Sequence, residues 1–218
     1  MKSSKKGLFF RILLVLTLFL IYITFSVCSY VSAVSSDISD SVFRLHVIAN
    51  SDSEEDQNLK YKVRDSLLEY MNSILSENAT KEEAMSVAKD HMSDFYVIAR
   101  EVVSNEGYDY IINITIGKYD FPTKDYGDIS LPSGNYDALR VEIGEASGHN
   151  WWCVMFPPLC FVDVTSGVVP DESKEALEDS LSGEEYDLIT SSDNNADITF
   201  KFKLVEFIEN VKMNLAKR

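Results

Sequence analysis

The chain has 218 residues, 20 of them basic and 35 acidic, for a net charge of −15. Lys2, Lys5, Lys6 and Arg11 precede every acid, so the remaining 16 bases face all 35 acids, a net charge of −19. A body this acidic repels nucleic acid and anionic lipid headgroups, which excludes either as its binding target.

Residues 12–31 read ILLVLTLFLIYITFSVCSYV. About 20 residues at a rise of 1.5 Å cover the ~30 Å of a bilayer's hydrocarbon core. The basic flank stays in the cytoplasm, so the remainder of the chain is expected outside. Two fates of the segment stay open. Val31-Ser32-Ala33 has the small-residue pattern of a signal peptidase site, which favours cleavage after Ala33 and release. The length of the run exceeds that of an ordinary signal peptide, which favours a retained anchor. Cys28 follows the bulky Val27, where a lipoprotein signal places a small residue.

About 185 residues follow Ala33, enough for one domain with its own core. Residues 34–41 read as a small polar linker. Residues 42–49, VFRLHVIA, have the composition of a buried strand. The cluster Asn50-Ser51-Asp52-Ser53 then caps a helix, with Ser51/Glu54 and Ser53/Asp56 at capping-box spacing. That helix is expected to reach about Leu75, with Leu59, Val63, Leu67, Tyr70, Met71 and Ile74 on one stripe. Thr80 with Glu83 opens a second long helix bearing Ala84, Ala88, Met92, Phe95, Ala99 and Val102. Gly107 ends it.

From Tyr108 to Ile116 the apolar period changes to two, the pattern of a strand. Residues 119–135 read as a loop. Two further strands, 136–143 and 151–156, are expected to form a hairpin across residues 144–150, with an edge piece at 159–164. Residues 171–197 hold ten acids and a single base, Lys174. They read as an acidic flexible linker with one short helix near 173–181. Residues 198–204 alternate as a strand. An amphipathic helix carrying Phe207, Val211 and Leu215 follows, and the two are expected to pack back on the domain. The expected architecture is thus a single α+β domain over residues 42–170 plus 198–218. Its mixed or antiparallel sheet carries two long helices, in the order β-α-α-β-β-β-β-α.

Signatures of catalysis are missing. Residues 144–148, GEASG, lack the spacing of a nucleophile elbow, and there is no H-E-x-x-H, phosphate loop or dinucleotide fingerprint. His149, Cys153, Cys160 and Asp163 match no standard zinc spacing, so no metal and no cofactor are expected. His46, on an apolar strand, reads as a core residue. A disulfide between Cys153 and Cys160 would close a short proline-bearing loop in an oxidising compartment, and two buried thiols fit the sequence equally well. The consecutive Trp151 and Trp152 point to opposite faces of their strand, so one fills the core while the other needs a loop, a helix or a partner above it.

Three stretches carry a family resemblance: residues 44–57 (RLHVIANSDSEEDQ) with Lys60 and Val63-Arg64-Asp65, residues 121–127 (FPTKDYG), and residues 131–136 (LPSGNY) through 150–160 (NWWCVMFPPLC). With the export segment and the final strand and helix they resemble the stage II sporulation protein R family of endospore-forming bacteria over most of the chain. The turn GEASGHN departs from the family's G-x-G-x-N pattern. The resemblance implies export from the forespore into the space between forespore and mother-cell membranes. It further implies activation there of a membrane-embedded aspartic-type protease, stage II sporulation protein GA, which processes the precursor of sigma factor E. On this reading the protein is a ligand and no enzyme. The expected contact surface is Asn50, Ser51, Asp52, His149, Asn150, Trp151 and Trp152. The alternatives are an exported envelope or coat component and a secreted hydrolase using Cys153, Cys160 or His149.

Overall fold

The computed structural model describes residues 2–76, 79–159, 169 and 171–190. Helix α1 runs unbroken over Lys2–Ser41. Its stretch Gly7–Val27 is long and apolar enough to cross a membrane, and none of it is buried in the folded body. It starts earlier than the run read from sequence, because Leu8, Phe9 and Phe10 extend the apolar surface past Arg11. The expected linker 34–41 is instead the end of α1. Ile38 is fully buried and Ser35 and Ser39 nearly so, since two serines on one side let the helix approach Gly134 closely.

Strand β1, Phe43–Ile48, is buried at all six positions. Ser53 caps helix α2, Glu54–Ile74, by accepting the Asp56 amide at 3.2 Å. Leu59, Val63, Leu67 and Met71 of its stripe are in the core. Thr80 and Glu83 close both arms of the capping box on α3, Lys81–Asp90. The second helix is therefore present but divided, α4 covering Met92–Asn105. His91 sits at the break, its Nδ1 2.8 Å from both the Asp94 carboxylate and the Tyr70 hydroxyl. The apolar stripe stays in phase across it, through Ala88, Phe95, Ala99 and Val103.

Strand β2 is Ile112–Phe121, later than the period-two pattern implied. Gly107, at φ +86°, reverses the chain after α4, and Tyr108 and Tyr110 stack with ring centroids 5.1 Å apart before the strand begins. Within the expected loop, β3 (Lys124–Tyr126) and β4 (Ile129–Leu131) form a two-stranded sheet of their own. Strands β5, Gly134–Ile143, and β6, Asn150–Phe156, lie where expected.

The main sheet has the order β2-β5-β1-β6. Strands β5 and β6 are therefore not a hairpin: β1 lies between them, parallel to β5 and antiparallel to β6. The reason is burial. A strand covered on both faces belongs in the middle of a sheet. β1 is buried at every position, with Phe43, Leu45 and Val47 on one face and Arg44 and His46 among aromatic rings on the other. Helices α2 and α4 cover the face carrying Leu45, Val47, Leu139 and Val141. The β3–β4 pair covers the lower part of the other face.

Residues 171–190 of the acidic segment are mostly helical rather than a loose linker, while its residues 191–197 lie outside the described residues. Helices α5, Asp171–Ser180, and α6, Gly183–Thr190, dock through the fully buried Leu177 and Ile189. Lys174 pairs with Asp128 at 2.5 Å, and Ser173 Oγ donates to the Pro158 carbonyl at 2.7 Å. The edge piece at 160–164, the strand at 198–204 and the final helix lie outside the described residues.

Candidate functional site

At the upper end of β1 the chain turns through Asn50–Ser53 into α2, and the β5–β6 connection folds over that turn. Asn50 works in both directions. Its Nδ2 donates to Asp56 Oδ2 at 2.8 Å, while its Oδ1 accepts the Glu145 amide at 3.0 Å. Ser51 Oγ donates to the same Asp56 oxygen at 2.5 Å. The Asn50 carbonyl accepts Ser147 Oγ at 2.7 Å, and the Ala49 carbonyl accepts the Gly148 amide at 3.0 Å. Asp52 Oδ1 accepts the His149 amide at 2.6 Å and lies 2.5 Å from His149 Nδ1.

Two glycines make this closure possible. A Cβ on Gly148 would stand 2.1 Å from the Ser51 carbonyl oxygen, and one on Gly144, at φ +59°, 2.2 Å from Asn50 Oδ1. Lys60, nearly fully buried on α2, fastens the loop from beneath. Its Nζ donates to the His149 carbonyl at 3.0 Å and to Gln57 Oε1 at 2.5 Å. Burial pushes the Lys60 pKa down, the charge of Arg64 adds to that, and Asp52 opposes it.

Asp56 is the hub. Burial pushes its carboxyl up, but hydrogen bonds from Ser51, Asn50 and Tyr110 outweigh burial and hold it below its ordinary value. The capping run thus does more than start a helix: its third acid anchors the turn, and neither Asp56 nor Lys60 stood out in the sequence as part of this corner. The spacing of Asn50, Ser51 and Asp56 around a capping box is the signal that could have found the first of them.

The structure brings all seven expected contact residues to this region and divides them by role. Asn50 and Ser51 are committed to internal hydrogen bonds. Asp52, His149 and Asn150 are exposed. Trp151 lies on the helix face, edge-on to Tyr61 at 5.4 Å, with the Arg64 guanidinium 4.4 Å from its ring centre. Trp152 lies on the opposite face, stacked on His46 at 5.5 Å, with Lys124 Nζ 4.8 Å from its ring centre. His46 Nε2 meets Asn150 Oδ1 at 2.8 Å. Beside Trp152 that face is polar: Arg140 pairs with Glu142 at 2.6 Å, and Asn113 and Thr115 are exposed. Cys153 is disulfide-bonded; Cys160, its expected partner, lies outside the described residues. Among the described residues no three His, Cys, Asp or Glu side chains converge as a metal site would require.

Residues 39–166 match the family model of stage II sporulation protein R. The chain belongs to that family. It is 37% identical over 185 residues to stage II sporulation protein R of Bacillus subtilis (strain 168), covering 80% of this chain and 83% of that relative. No solved structure matches it. The matched region begins at Ser39, takes in the whole corner and all four strands of the main sheet, and gives the protein a role in sporulation.

Proposed function

We propose that this protein is an exported sporulation signal that docks on and activates a membrane-embedded aspartic-type protease of the mother cell, stage II sporulation protein GA. That protease then removes the inhibitory pro-segment from the precursor of sigma factor E. The signal acts from the space between the forespore and mother-cell membranes and makes or breaks no covalent bond itself. The observation that carries this reading is the joining of an N-terminal helix able to cross a membrane to an exposed, internally braced corner, in a chain of this family. A ligand switches an enzyme by preferring its active state, and a preorganised surface does so at the least entropic cost.

Asp52, His149, Asn150 and Trp152 are the proposed contact residues. Trp151 is assigned to packing, because Tyr61 and Arg64 of α2 enclose it. Co-expression with the protease and the sigma-factor precursor in a non-sporulating host tests activation: cleavage should require this protein, and require it outside the membrane. Trp152→Ala should cut cleavage per folded molecule about 30-fold, the effect of losing a ~2 kcal/mol interface anchor, over and above the stability lost with its stack on His46. Trp151→Ala should act in the opposite sense, lowering stability first. Undiminished cleavage with Trp152→Ala would move the contact elsewhere, and absence of cleavage in the full mixture would remove the activator role.

A further inference from the structure

The sequence leaves two fates for the N-terminal segment, and the fold discriminates between them. Helix α1 continues without a break from the membrane-crossing stretch into the domain. Its final turns belong to the core: Ile38 is fully buried, and Ser35 Oγ donates to the Ser133 carbonyl at 3.3 Å. Lys118 Nζ pairs with Asp40 at 3.0 Å, and Lys81 Nζ bridges the Asp40 carbonyl at 2.8 Å and Asp137 at 2.7 Å. Ala33, the residue before the expected cleavage, is helical, and the half-buried Val34 follows it. A peptidase binds its substrate extended, and here the backbone groups it would grip are held within the helix.

The contacts also fix a direction. Ser35 meets the start of β5 at Ser133, and Asp40 shares Lys81 and Lys118 with Asp137 further along that strand. The end of α1 therefore climbs in the same sense as β5. Strand β1, parallel to β5 and opening at the level of Asp137, carries the chain onward. The Asn50–His149 corner lies at its far end.

We infer that α1 is retained as a rigid stalk that holds the domain upright on its own membrane, with the Asn50–His149 corner at the outer tip facing a protein in the apposed membrane. The facing partner rests on the function proposed above; the stalk does not. From Val27 the stalk rises about 21 Å to Ser41 at 1.5 Å per residue, and β1 adds about 17 Å, so the tip stands roughly 35–40 Å from the lipid.

The test uses the full chain in bilayer vesicles. Exported by a host that has signal peptidase, the polypeptide should first be shown to keep the residues before Ala33 by mass and to resist extraction from the membrane by alkaline wash; a soluble product beginning at Val34 overturns the stalk while leaving activation of the protease untouched. Fluorophores placed through Asp120→Cys, at the lower end of the sheet, or Glu145→Cys, at the corner, then report height. A quencher in the lipid headgroups should act several-fold more strongly at position 120 than at 145. Equal or reversed quenching overturns the orientation. A ten-residue Gly-Ser insertion after Tyr30 should erase the contrast, and a contrast that survives it overturns rigidity.

Discussion

At the lower end of β1 the fully buried Arg44 guanidinium lies 4.1 Å from the ring centre of Phe121 and 4.6 Å from that of Tyr136, and Nη2 donates to the Tyr126 hydroxyl at 2.5 Å. Among the described residues its Nε and Nη1 have no hydrogen-bond partner. At the upper end Asp56 is almost as buried, yet its carboxylate is met by donors from Asn50, Ser51 and Tyr110. One pole buries a charge among rings that adapt to it, the other within a network in which every member has a fixed place. A polar network is sensitive to the loss or displacement of any partner, whereas an aromatic box tolerates an apolar replacement. Variants at the two poles should therefore differ in cost.

The largest effect is expected at the corner's tightest approach. Gly148→Ala places its Cβ 2.1 Å from the Ser51 carbonyl oxygen and 2.5 Å from its carbon, and both are backbone atoms that cannot turn aside. We expect a loss of about 3 kcal/mol in thermal or denaturant unfolding of the full chain in detergent, the upper end for overpacking. A loss below about 1 kcal/mol would mean the turn relaxes freely and is no fixed surface.

Next is Asp56→Asn, which sets an amide against the Asn50 and Ser51 donors and should cost about 2–3 kcal/mol. Because the folded carboxyl lies below its ordinary value of 3.8, its contribution is present above that value and is lost as pH falls through the folded pKa. The gap between parent and variant should accordingly shrink in acid. A gap independent of pH would assign the loss to shape and leave the charge no part in it.

The matching change at the other pole is Arg44→Met, which keeps the stem and removes the charge. Tyr126 OH still reaches the Trp152 carbonyl at 3.2 Å, so no hydroxyl is orphaned. The expected cost is about 1 kcal/mol or less, since the loss of the ring contacts is offset by no longer burying an incompletely paired charge. A cost equal to that of Asp56→Asn would erase the distinction between the poles.

Local signals in the sequence were dependable wherever the relevant partner was also local. The caps at Ser53 and Thr80, the stripes of α2 and α3–α4, and the alternation that enters β2 at Ile112 all depend on residues three or four apart, or on every second residue. Features set by distant pairing were not legible. Whether Trp151 and Val154 meet β5 or β1 is decided by which strand most needs two covered faces, and the short connection 144–149 hid that choice. The acidic stretch misled for a related reason: ten acids dominate its composition, while Leu177, Ile189 and Lys174 hold it down. At the site, the polar corner and the opposed tryptophans could be read from residue type and alternation. The role of Asp56 was within reach of its spacing from Asn50 and Ser51, whereas those of Lys60 and Arg44 were not, because His149 and Tyr126, which define them, lie far away in the chain.

The smallest predicted effect lies midway along β1 and shows where the two regimes meet. His46 stacks on Trp152 and meets Phe121 edge-on at 5.7 Å, as a member of the aromatic box would, yet its Nε2 also serves the Asn150 side chain above. Burial pushes its pKa below 6.5; the hydrogen bond to Asn150 and the Glu142 charge oppose this, and Arg140 and Arg44 reinforce it. The neutral ring is the stable one in the folded chain, with the proton on Nε2 donated to Asn150 Oδ1 and Nδ1 bare. A second proton would put a buried donor on Nδ1, which has no partner among the described residues. The unfolded chain therefore binds this proton more readily, so stability is complete above pH 6.5 and declines as the pH falls through 6.5 toward the folded value. His46→Phe keeps the stack and removes the titration. It should flatten the stability profile between about pH 7 and 5 by somewhat less than ~1 kcal/mol, leaving stability at pH 8 within a few tenths of the parent's. A slope unchanged by the substitution would place the acid sensitivity in the corner's carboxylates and make His46 a packing residue of the lower pole.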